Sequence, residues 1–128
     1  MNRNQGVTAK ALIGVRGTTD FDNEDEDFYS LVLDLSDREM QEALKGVPNL
    51  DLVRALIDTP AEVTERVMQN LSPRARVLLS EDVALVAKAG VWDTADGQVK
   101  VDASLNAVRV SRIRFSRILT DVTKTRAK

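Results

Sequence analysis

The chain has 128 residues, enough for one hydrophobic core but not two, so two independent activities are not expected. Eighteen basic and twenty acidic side chains leave a net charge of −2, which favours neither nucleic acid nor an acidic membrane surface. The absence of cysteine and histidine excludes disulfides, thiolate nucleophiles, Cys-based zinc sites and the usual general base, so neither an enzyme nor a cofactor or metal protein is expected.

The opening "MNRNQGVTAKALIGVRG" has no apolar run of signal-peptide length. No later segment approaches the ~18 consecutive apolar residues of a membrane span, and a cytoplasmic protein without membrane insertion is the expectation. Residues 1–26 combine Gly, Asn and Thr with the acidic block "DFDNEDED" around one apolar island, Ala11 to Val15. This mix reads as a flexible acidic arm, disordered or extended when alone, ahead of a helical domain at 27–128. Asp20, Asp22 and Glu24 have the spacing of calcium-loop ligands, but Asp25 replaces the glycine at the sixth place and Leu31 the glutamate at the twelfth. The block is therefore read as a solvated arm.

Order is expected from Phe28, where "FYSLVLDL" is densely apolar. Ser36 and Glu39 form an S-x-x-E capping box, followed by Met40, Ala43, Leu44 and Val47 on one helical face, with Gly46 placed to end the helix. Asn49 caps a second short helix with Leu50, Val53, Leu56 and Ile57 inward. Thr59-Pro60-Ala61-Glu62 gives another capping box, with Val63, Val67 and Met68 buried behind it. Ser72-Pro73 starts a longer helix toward Gly90 that buries Ala75, Leu78, Leu79, Val83 and Val86.

"VWDTADGQVKVD" sets Asp96-Gly97 between two short alternating runs and reads as a small hairpin near 91–101, or equally as an ordered loop. Asp102 caps a last helix with Leu105, Val108, Phe115, Leu119 and Val122 on one side and Arg112 on its edge, although "VRVSRIRF" also alternates as a strand does. The basic segment from Arg109 to Lys128 has little aromatic interleaving, Phe115 aside, and reads as a solvated face, or one that meets acidic protein, ahead of a nucleic-acid site. The fold class is all-α: a compact bundle of short helices in an armadillo-like stack.

Arg74, Glu81 and Lys88 stand seven apart and share one stripe of the helix after Ser72, with Asp82 beside Glu81. Two turns separate Arg74 from Glu81, roughly 10 Å, too far for an ion pair along the helix. Spacing alone leaves these charges as a solvated face or as groups aimed at a partner.

The chain also resembles the C-terminal domain of the flagellar motor switch protein FliG. The family motif Leu-Asp-Asp-Arg-x-x-Gln reads "LSDREMQ" here, Leu35 to Gln41. Ala-Leu-Lys-Gly reads Ala55-Leu56-Ile57-Asp58, and Asn-Met-Ser-x-Arg-Ala reads Asn70-Leu71-Ser72-Pro73-Arg74-Ala75. The acidic pair is Glu81-Asp82, and Gly-Pro-Val-Arg reads Gly97-Gln98-Val99-Lys100 after a longer loop. The resemblance covers about the last hundred residues and implies a non-catalytic rotor domain whose charged ridge meets oppositely charged stator residues. It puts partner contact on Arg74, Glu81, Asp82 and Lys100, to which the spacing adds Lys88. It further implies protein partners, stator or other rotor components, in a homo-oligomer or larger assembly at the cytoplasmic face of a membrane-associated machine. The ridge lysine of the family is Ile57 here, and its neighbouring glycine is Asp58. A stand-alone divergent copy is expected, with a structural adaptor as the second reading.

Overall fold

In the computed structural model the backbone is described for residues 18–127 and the side chains for 25–126. The apolar island and most of the expected arm lie outside the described residues. The elements are α1 (Thr18–Asp34), α2 (Asp37–Gly46), α3 (Asn49–Ala55), α4 (Ala61–Met68), α5 (Pro73–Ala89), β1 (Val91–Thr94), β2 (Gly97–Lys100) and α6 (Leu105–Thr123), closed by a 3-10 turn at Lys124–Ala127. The all-α expectation holds, with one two-stranded antiparallel hairpin in the expected place.

The first helix begins at Thr18, upstream of Phe28 where the sequence placed the onset of order. Phe28, Val32 and Leu35 follow the i, i+4, i+7 rhythm and are all buried, so "FYSLVLDL" is the core-facing end of a helix. The Phe28 ring meets Phe115 of α6 with centroids 5.5 Å apart and planes tilted by 54°. Helix α6 packs against α1, α2 and α3 and is the element around which the bundle closes.

Ser36 and Glu39 make the expected capping box: the serine oxygen accepts from the Glu39 N–H, and the Glu39 carboxylate accepts from the Ser36 N–H at 2.9 Å. Two other caps differ from expectation. Asn49 is the first residue of α3 after Pro48, and Leu50, expected inward, is only half-buried. Helix α4 starts at Ala61, one residue later than a Thr59 box requires. The Thr59 hydroxyl instead donates to the Leu56 carbonyl and meets the Thr64 hydroxyl, so it closes the turn after α3.

Asp102 is displaced as cap by Ser104, whose oxygen accepts from the Ala107 N–H, while the Asp102 carboxylate accepts from the Ser104 N–H at 2.9 Å. Those bonds hold the Asp102 carboxyl below its ordinary range. In the hairpin Ala95 and Asp96 avoid positive φ, and Gly97 takes it instead at 119°. The turn is held by the Thr94 hydroxyl, which donates to the Gly97 carbonyl at 2.7 Å. Leu105, expected inside, is exposed one residue after the cap, and Arg112, expected at an edge, is buried.

Candidate partner-contact face

The charges divide into those that join helices and those that do not. Arg112 is 5% exposed and donates through Nε to the Ala55 carbonyl at 3.0 Å and through Nη2 to the Ile57 carbonyl, closing the C-terminal end of α3. It also lies 3.0 Å from an Asp25 oxygen of α1, an ion pair without straight hydrogen-bond geometry, and its guanidinium stands 5.5 Å from the Tyr29 ring centre. Burial pushes the Tyr29 hydroxyl above its ordinary pKa, and Arg112 opposes that shift.

Arg126 grips Glu39 with two donors at 2.5 and 2.6 Å and reaches Asp34 at 3.2 Å, tying the chain's end to α1 and α2. The Arg126 hydrogen bonds hold the Glu39 carboxyl at about 2, with the Ser36 backbone donor second. Arg66 joins Asp37 and the Leu35 carbonyl, and Arg54 donates to the Asp102 carbonyl at 2.8 Å. Asp51 is buried on α3, where it accepts from the Ser111 hydroxyl at 2.9 Å. Arg112, Arg114 and Arg126 of the basic segment are therefore engaged with acidic groups or carbonyls of the fold.

Helix α5 differs. Its start is set by Ser72, which accepts from the Ala75 N–H at 3.2 Å, with Pro73 at the first turn where a missing donor costs nothing. Its end is set by Gly90 in the left-handed region (φ 65°), and the Gly90 carbonyl accepts from the Val101 N–H at 2.8 Å, which fastens the hairpin to the helix end. Leu79 and Val86 are its fully buried side chains, with Ala75, Asp82 and Val83 half-buried beside them. At about 100° per residue, Arg74, Val77, Glu81 and Lys88 fall on the side turned away from that stripe.

Arg74, Glu81 and Lys88 are exposed and share this face as the spacing requires. Asp82 sits at its inner edge, on the rim of a cavity of about 270 Å³ between α3 and α5 that is walled by Leu52, Val53, Leu71, Leu78 and Leu79. Lys100 is exposed on β2, paired in register with Val91 just beyond the helix end, and so does not belong to the α5 stripe. Among the described residues none of these five side chains has a hydrogen-bond or ion-pair partner. Ile57 is buried at 6% exposure, so the family's lysine position points into the core, while Asp58 takes a positive φ of 56° where the family has glycine.

Two apolar side chains stand exposed beside these charges. Leu78, expected in the core, is 50% exposed, and Val77 is 57% exposed. α5 packs only on α3 and β1 among its main neighbours, too narrow a contact to cover a second apolar row. The seven-residue spacing itself carried the signal for Val77, which lies midway between Arg74 and Glu81. Among the described residues no cluster of His, Cys, Asp or Glu could hold a metal ion, and no helix is long and apolar enough to cross a membrane.

The family model described as the FliG C-terminal domain matches residues 26–111. The chain is 31% identical over 78 residues to the flagellar motor switch protein FliG of Thermotoga maritima, covering 61% of this chain and 22% of that protein. It is 31% identical over 74 residues to the protein of the same name from Borreliella burgdorferi, covering 58% of this chain and 21% of that one. The chain thus spans about a fifth of the length of these curated relatives.

Proposed function

The chain belongs to the FliG C-terminal domain family, and from that premise we propose that it is a non-catalytic protein–protein contact module of flagellar-motor-switch type. Its partner is a charged, stator-like protein, met at the cytoplasmic face of a membrane-associated machine. The observation that carries this reading is the set of charges without a partner among the described residues, Arg74, Glu81 and Lys88, in line on the outward face of α5, with Asp82 at its inner edge. Exposed charges spaced two turns apart gain little from one another. Across an interface they steer encounter and set register, which suits repeated, short-lived contact better than permanent docking.

The test is a paired reversal, Arg74→Glu with Glu81→Arg, in the full chain. Both side chains are exposed and without partners among the described residues, so the circular dichroism spectrum and melting temperature are expected to stay unchanged. Binding to the cytoplasmic charged segment of a stator protein is expected to fall and to become insensitive to salt. Unchanged binding and motility with the double reversal refute the ridge.

Burial of Ile57 favours a second reading, a structural adaptor that keeps the fold without the full charge set. It predicts that assembly survives the double reversal.

A further inference from the structure

The outward face of α5 has an order that is complementary to itself. Two exposed large apolar residues are adjacent there, Val77 on the outward face and Leu78 on its flank, where it also walls the cavity against α3, and Arg74 and Glu81 lie three residues to either side of that pair. We propose that two copies of this chain pair through α5 as antiparallel helices about a two-fold axis passing midway between Val77 and Leu78. This names a second copy as an occupant of the face; it rests on the reading of that face as a contact surface.

The geometry follows from the symmetry. Arg74 and Glu81 each stand 3.5 residues from the midpoint, about 5 Å of helix rise in opposite directions. Reversing one helix on the other brings Arg74 level with Glu81 of the second copy, and Glu81 level with its Arg74. Val77 then covers Leu78 of the second copy, and the reverse, so the two apolar side chains that the fold leaves half or more exposed become the dry centre of an isologous contact.

Other registers are worse. An axis through Glu81 sets that carboxylate against itself and Arg74 against Lys88 of the second copy, both like-charge pairs. An axis midway between Ala84 and Leu85 pairs Glu81 with Lys88 but centres the contact on a small side chain and on Leu85, which is already half-buried. Because α5 packs mainly on α3 and the hairpin, it stands at the rim of the bundle where a second helix can approach. One helix pair lies at the small end of interfaces, so the expected dimer is weak and reversible. It also hides the charges that a stator-like partner would meet, which makes self-pairing and partner contact mutually exclusive.

Sedimentation velocity of the full chain, from about 10 μM to about 1 mM at low salt, is the test, since weak interfaces of this size associate in that range. Wild type is expected to shift reversibly from monomer to dimer. Arg74→Glu alone is expected to weaken the dimer about tenfold or more, because both copies then oppose two glutamates. The double swap Arg74→Glu/Glu81→Arg restores both cross-copy pairs and is expected to recover self-association to within about threefold of wild type. Leu78→Glu is expected to abolish it while leaving the helical spectrum intact. A chain monomeric throughout the range, a single reversal without effect, or a double swap as weak as the single reversal overturns the proposal. Contact with a heterologous partner cannot be rescued by the swap, so failure of the dimer and failure of the stator-like contact are read separately.

Discussion

Replacing Arg112 by methionine keeps the length of the buried stem and removes only the guanidinium. The Ala55 and Ile57 carbonyls at the end of α3 then lose their donors inside the bundle, and the pairing with Asp25 across α1 and α6 is lost. A buried acceptor left without a donor costs about 1–3 kcal/mol, so the two carbonyls together should cost about 3–5 kcal/mol after partial relaxation. The Asp25 side chain is 22% exposed, but the oxygen that faces Arg112 is buried, so loss of the ion pair adds to this cost. Urea unfolding followed at the helical circular dichroism band measures the total. A double-mutant cycle with Asp25→Asn isolates the ion pair. A midpoint shift worth less than about 1 kcal/mol would show that the α3 end is satisfied without Arg112. A coupling energy equal to most of the total would show that the ion pair, and not the carbonyl cap, holds these helices together.

The Arg126–Glu39 clamp sets a pH dependence. Glu39 has its folded pKa at about 2, below the ordinary 4.5, so the clamp contributes fully above pH 4.5 and is lost as pH falls through about 2. Glu39→Gln retains the capping bond to the Ser36 N–H and removes the charge. Its melting temperature should therefore lie below wild type at pH 7 and converge on it between pH 4.5 and 2; a constant gap over that window would refute the assignment. Asp58→Gly should raise stability by about 0.5–1 kcal/mol, since an L side chain is strained at a φ of 56° and glycine is not; a lower melting temperature would mean that the Asp58 carboxylate contributes more than the backbone strain costs.

What could be read from the chain alone were the features whose chemistry closes within one helical turn. The Ser36–Glu39 box, the Ser72-Pro73 start and the Gly90 stop each join groups within four residues of one another, and each stands where the pattern put it. The buried rhythm of Val63, Val67 and Met68 was equally local. Helix α1 was missed although Phe28, Val32 and Leu35 carry a helical period, because the acidic run ahead of them dominates the composition. That stretch joins the fold through Phe115 and Arg112, more than eighty residues away in sequence.

The charged face was legible in part for the same reason. Helix geometry fixes that residues seven apart share a side, so Arg74, Glu81 and Lys88 followed from spacing. Which side faces water is decided by where α3 and the hairpin lie, and this is why Leu78 went from expected core to exposed surface. Arg112 makes the same point from the opposite direction. A guanidinium can be buried only where distant carbonyls and a carboxylate supply the acceptors that water would otherwise provide. By itself, then, the sequence determined the helices that follow Ser36, most of their stops and the stripe on which charges align. The tertiary structure alone decided which charges are consumed inside the bundle and which stay exposed on its surface, because desolvation and pairing depend on neighbours that only folding brings together.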